Sequence, residues 1–234
     1  PTSDDNIIEF LYLGGPTGWN WGRNGSTNAA FIHPEARDYF RQLRVTLREY
    51  SVPHRRLELA FRAYNDGAAF RYRLPGGENM PLALEEEATG FSIPADSKLW
   101  MAPSDKATMY SPAYETYYEN GIAVGTPSPL GVGWSFPVLF RTPAGRWGLI
   151  TESDVGTNYC GTRLSSVAPN GVYRIAWPDA GEGNSQGQVK PSAVLPWEMP
   201  WRVIIVGNSL GTIVESTLVT DVASPSRVKD TGWI

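Results

Sequence analysis

Cysteine is nearly missing from this 234-residue chain. Cys160 stands alone, so no disulfide can close within it, and it says little about compartment. Histidine is almost as scarce, with only His33 and His54. Together these three residues cannot supply the four nitrogen or sulfur ligands of a structural zinc site. Neither histidine lies near a Gly-x-Ser-x-Gly elbow, which sets a Ser-His-Asp triad aside. No apolar run approaches the roughly 18 residues of a membrane-spanning helix. Lysine is rare too: the cations are 16 Arg and 4 Lys, scattered along a chain of net charge −4. Neither a block of like charge nor a basic surplus points to nucleic acid or anionic lipid. No glycine-rich loop feeds a helix to cradle phosphate. Val206-Gly-Asn-Ser-Leu-Gly211 has that look, but the residues after it are β-branched, so it reads as a hairpin turn.

What the chain has in plenty is punctuation and aromatics. Nineteen Pro and 24 Gly divide it into short alternating runs, the mark of many strands joined by turns. The clearest pair is a hairpin. Leu57, Leu59, Phe61 and Ala63 share one face, Asn65-Asp66-Gly67 turns the chain, and Ala68, Phe70, Tyr72 and Leu74 resume the alternation. Further strands are expected over residues 7–13, 43–48, 90–94, 99–102, 134–140, 146–152, 172–177 and 201–207. Residues 35–42 fit a helical turn or the start of a strand, and the strand reading is preferred. Pro137 inside its strand predicts an edge or a bulge. The continuous apolar run Trp201–Gly207 predicts a strand buried on both faces. A last strand is expected over Thr212–Val222 after a turn at Asn208–Gly211. Residues 103–133, rich in Tyr, read as a long aromatic loop, and 178–196 as the most loop-like stretch. The triplet Glu85-Glu86-Glu87 reads as a solvated segment. With no internal repeat and no long helix, the fold class is all-β, with two packed, mainly antiparallel sheets.

Nine Trp and 11 Tyr admit two readings. Aromatic faces stack on sugars, and large sandwich cores also consume such side chains. Carboxylates are the remaining chemistry. Glycosidic hydrolysis uses two of them across the bond, and calcium uses hard oxygen donors. Glu152, Asp154, Glu198, Glu215 and Asp221 sit beside predicted strands, and spacing alone pairs none of them.

Several strings together resemble the amino-terminal domain of glycoside hydrolase family 97, the calcium-dependent bacterial α-glucosidases and α-galactosidases. They are residues 61–75, Arg146-Trp-Gly-Leu-Ile-Thr-Glu-Ser-Asp154 with Tyr159, Pro200–Gly207, Leu210–Val219 and Val228–Ile234. The similarity runs over residues 40–234; residues 1–34 depart from it, and the family's earliest strands are not recognisable there. The resemblance implies a galactose-mutarotase-like β-supersandwich. Residues 1–234 would form one amino-terminal domain of a larger glycoside hydrolase, packed on a (β/α)8 catalytic barrel of the same polypeptide. Glu152 matches the position that gives one ligand to a calcium ion shared with the barrel, and Asp154 is a weaker candidate. The resemblance places the catalytic acid and base on the barrel, so no catalytic residue is expected here and the fragment alone should be inactive. The substrate would be an α-linked oligosaccharide, and the location periplasmic or secreted, in a bacterium. The opening at Pro1 and the stop at Ile234 fit a piece of something longer. Two other readings are an independent carbohydrate-binding, lectin-like sandwich using the 103–133 loop as its platform, and a mutarotase-like enzyme. The last needs a histidine with a carboxylate as acid and base, and only His33 and His54 are on hand.

Overall fold

The computed structural model describes residues 8–11, 20–24, 37–77, 79–107, 115–182 and 189–226, with side chains from residue 39 onward. The aromatic residues Tyr110 and Tyr114 and the segment 228–234 lie outside them. So does His33.

Among the described residues the regular secondary structure is nearly all strand. Fourteen strands join one hydrogen-bonded antiparallel sheet, and Pro81–Ala83 with Ser192–Val194 forms a second, two-stranded one. Two packed, mainly antiparallel sheets were expected, and the packing holds: the ladder is continuous, and the large sheet curls until its own inner face is packed. Phe70 and Ile204, from its middle, share a core cluster with Phe91, Tyr173 and Ile175, from its far end. Leu99, Met101, Trp134, Val138 and Leu164 fill the space between, all fully buried. This is the sandwich that the alternating pattern predicts, closed by curvature.

The hairpin forms as read. Strands Arg56–Tyr64 and Gly67–Leu74 pair around a two-residue turn at Asn65-Asp66, with Phe61 opposite Phe70 and Leu59 opposite Tyr72. The long strand Arg37–Arg48 lies outside it. That strand's other edge is paired by Ile8–Leu11 and Asn20–Asn24. Residues 37–42 therefore belong to a strand, as preferred.

Strand Trp201–Gly207 runs between Gly67–Leu74 and Trp147–Ser153. Trp201, Val203 and Ile205 are buried on one face, Arg202 on the other. Strand Trp134–Arg141 is not an edge, since Trp147–Ser153 flanks one side and Lys98–Pro103 the other. Against the latter its register slips between Ser135 and Leu139, around Pro137, so of the two readings the bulge holds.

Four expectations need correction. Thr212–Val222 is not a strand: Leu210–Glu215 and Leu218–Asp221 are short helices. Ser209 is the start signal of the first, its side chain accepting from Thr212 N–H at 3.3 Å. Ile213, Leu218 and Val222 then bury against Ala69, Trp201, Val203 and Ile205, covering the outer face of the sheet. That burial outweighs the β preference of Thr212, Ile213 and Val214. The aromatic loop is broken by strand Glu119–Ala123, and the 178–196 loop by Ser192–Val194. The acidic triplet is solvated only in part. Glu85 and Glu86 are exposed, while Glu87 is 7% exposed.

Candidate functional site

The inner face of the central strands carries one buried charge cluster, centred on Arg202. Ladder register sets it there: Arg202 stands beside Phe70 on one side and Glu152 on the other. A guanidinium in an apolar strand needs carboxylate partners, because an uncompensated buried charge is strongly destabilising. Two are present. Glu87 takes Arg202 Nε–H on Oε1 at 2.9 Å and Nη2–H on Oε2. Glu152 takes Nη1–H on Oε2 at 2.6 Å. Tyr159 donates its hydroxyl proton to Glu87, and Trp177 Nε1–H reaches the Tyr159 oxygen at 3.3 Å.

Electrostatics follow from this packing. Burial works against the Glu87 charge, yet Arg202, Tyr159 and Thr89 outweigh it and hold the carboxyl below its ordinary range. Burial also opposes the Arg202 charge, and Glu87 more than restores it, so the guanidinium keeps its proton. Burial, and then the Glu87 charge, raise the Tyr159 hydroxyl, which stays protonated as a donor. Burial pushes the Cys160 thiol up to about 11, so at neutral pH it is not a nucleophile.

Glu152 is the penultimate residue of its strand, and the chain turns just after it; Asp154 has φ +59, and residues 155–158 are exposed. The chain returns to it at Thr162. Its N–H donates to Glu152 Oε1 at 2.9 Å and its Oγ1–H to Oε2 at 2.6 Å. Among the described residues Oε1 has no second hydrogen-bond partner, and the Glu152 side chain keeps 13% exposure. A Cβ built on Gly161, which is exposed, meets only Glu152 Oε1 within 4 Å beyond its chain neighbours, at 3.8 Å.

Asp154 lies elsewhere. It faces Arg71 Nη1 at 3.4 Å and takes the Ser224 N–H at 3.0 Å, on the outer side of the sheet. Arg71 also pairs with Glu198, and its guanidinium stacks 4.6 Å from the Trp201 ring centroid. Glu215 is exposed on the first helix, and Asp221 accepts from Thr217 Oγ1 at 2.7 Å inside the second. Of the five strand-adjacent acids, only Glu152 joins the Arg202 cluster. Glu87 went unnoticed as a site residue although a signal exists: Glu87, Thr89, Phe91 and Ile93 share one phase of a period-two run, and all four are buried.

A calcium ion takes about six to eight oxygen ligands. No group of three or more His, Cys, Asp or Glu side chains is placed to hold a metal among the described residues. One donor does fit a shared site. Glu152 Oε2 holds two hydrogen bonds and Oε1 one, which leaves a lone pair on Oε1, the oxygen nearest the exposed Gly161.

The family model for the glycosyl-hydrolase 97 N-terminal domain matches residues 26–225. The chain belongs to this family. Among curated relatives, a "Probable retaining alpha-galactosidase" of Streptomyces bingchenggensis is 33% identical over 179 residues, 76% of this chain and 25% of that protein. A retaining α-galactosidase of Bacteroides thetaiotaomicron is 28% identical over 193 residues, 74% of this chain and 28% of that protein. The family 97 domain seen here thus spans about a quarter of the curated relatives it matches. A crystal structure of a β-arabinopyranosidase superposes with a TM-score of 0.77 at 30% identity, over 97% of this chain and 35% of that one. A family 97 enzyme of Pseudoalteromonas sp. strain K8, solved with panose, gives 0.66 at 20% identity, over 97% and 30%. The latter establishes a shared fold alone. These relatives are bacterial glycoside hydrolases, and no helix among the described residues is long and apolar enough to cross a membrane.

Proposed function

We propose that this chain is the sandwich module of a longer bacterial α-glycosidase, that it packs on a catalytic (β/α)8 barrel of the same polypeptide, and that Glu152 gives one ligand to a calcium ion at that junction. The observation that carries the reading is the family match over residues 26–225, in a chain that spans only a quarter of two retaining α-galactosidases. The open lone pair of Glu152 Oε1 supports the ligand role. Bound there, calcium would polarise the substrate beside the bond that is broken. This chain's own share is to hold a carboxylate oxygen donor at the edge of the module. A periplasmic or secreted location belongs to the same proposal and rests on the resemblance.

The substrate proposal narrows to galacto-configured α-glycosides. Two relatives are α-galactosidases, and a structural relative is a β-arabinopyranosidase. In the L series a β-arabinopyranoside is an α-D-galactopyranoside without its hydroxymethyl group, so both present the same axial hydroxyl.

The test uses the full-length enzyme that carries this module. Turnover of nitrophenyl α-galactoside should exceed that of the α-glucoside by at least on the order of tenfold, since a site that hydrogen-bonds one hydroxyl rejects its epimer. Equal turnover, or preference for the glucoside, defeats the substrate proposal. Glu152→Gln should weaken calcium binding in isothermal titration, and an unchanged affinity removes Glu152 from the metal site.

A further inference from the structure

We infer that Thr162 and Arg202 are positioning residues that turn Glu152 so that Oε1 is the oxygen it presents outward; this rests on the reading of Glu152 as a calcium ligand. A glutamate carboxylate rotates easily about its last torsion, so its plane must be fixed from outside. Thr162 fixes it with two donors from one residue, N–H to Oε1 at 2.9 Å and Oγ1–H to Oε2 at 2.6 Å. Arg202 then takes the second lone pair of Oε2 at 2.6 Å and touches Thr162 Oγ1 at 3.2 Å, closing a triangle. Arg202 itself cannot swing. It is 1% exposed, and Glu87 holds it through Nε and Nη2. Among the described residues Oε2 therefore has both lone pairs engaged and Oε1 one; the lone pair left is on Oε1, the oxygen nearest the exposed Gly161. Partners that orient a metal ligand in this way commonly matter to affinity by about 10- to 100-fold.

The experiment is calcium titration of the full-length enzyme and three variants, with the melting temperature of the calcium-free proteins as the measure of fold. Thr162→Val removes the hydroxyl and keeps the N–H. It should raise the calcium Kd about tenfold or more while the calcium-free melting temperature stays near wild type, and Thr162→Ser should restore the wild-type Kd. A wild-type Kd in Thr162→Val, where Glu152→Gln has lost affinity, overturns the positioning role and leaves the ligand reading standing. A wild-type Kd in Glu152→Gln overturns both. Gly161→Ala keeps the inward bonds and sets a methyl group 3.8 Å from Oε1. It should weaken calcium binding with an unchanged calcium-free melt, even if Thr162→Val fails to fold. An unchanged Kd in Gly161→Ala overturns the choice of Oε1.

Discussion

Arg202 lies between Glu87 and Glu152, and the same local solution recurs elsewhere in the chain. Arg71 lies between Asp154 and Glu198, Arg73 between Glu58 and Glu198, and Arg163 between Asp179 and Glu182. The planar guanidinium presents donors on several edges, so one arginine can serve two carboxylates where a lysine would serve one poorly. The scarcity of lysine fits this use of cations. Glu87 is the partner whose loss costs most, because it is buried with Arg202 and cannot be replaced there by water. Glu87→Ala should destabilise the fold by about 3 kcal/mol, the usual scale for breaking a buried pair, and urea unfolding measures it. The pH dependence has a definite sign. The folded Glu87 carboxyl titrates below its ordinary 4.5, so its contribution is fully present above that value and is lost as pH falls through the folded range. Glu87→Gln should therefore lose less stability than wild type between pH 5 and 3, as read from urea midpoints; parallel losses remove Glu87 as an acid-sensitive group. Little of this was legible from charge alone. A run of three glutamates hides one member that keeps the phase of Phe91 and Ile93, and its partner sits 115 residues away.

At the scale of elements, the hairpin and the central strands were readable because their alternation and turn residues agree. Asn65-Asp66-Gly67 gives the turn, and Phe61 and Phe70 meet across it. The helices after Gly207 were not readable because local signals conflict there. Thr212, Ile213 and Val214 favour a strand, whereas Ser209 and the spacing of Ile213, Leu218 and Val222 favour helical turns that cover Trp201 and Val203. Position 207 tightens the case: a Cβ there would lie 2.5 Å from Thr212 Cβ, so only glycine lets the first helix fold back onto the strand end. Burial decides the conflict, and it can be weighed by experiment. Leu218→Ala, at a fully buried side chain, should cost about 3 kcal/mol by lost transfer and a cavity. Ser209→Ala should cost about 1 kcal/mol through the lost cap. If Ser209→Ala proved the costlier in urea unfolding, the cap rather than the packing would be what sets these helices.

For the whole molecule, the arrangement of carboxylates bears on what the chain can do by itself. A glycosidase needs two acids across the bond, one protonated and one ionised, with room for a sugar between them. Two of the candidates, buried Glu87 and part-buried Glu152, are bridged by the one guanidinium of Arg202. Glu87 is held in its ionised form, so it has no proton to donate. Asp154 with Glu198, and Glu58 with Glu198, are bridged in the same way by Arg71 and Arg73. None of these pairs can separate into acid and base without leaving an arginine unpaired. The curated relatives are longer enzymes, and under the proposed function the bond-breaking pair would sit on the catalytic barrel. Isolated residues 1–234 should thus release no nitrophenol from nitrophenyl α-galactoside or α-glucoside, with or without calcium. Turnover that copurifies with the chain and is lost in Glu152→Gln or Glu87→Gln would show a catalytic pair within it and defeat that division of labour. Oligosaccharide binding without turnover, in isothermal titration, would instead favour an independent sugar-binding sandwich, for which the exposed Tyr117 and Tyr118 are the natural platform.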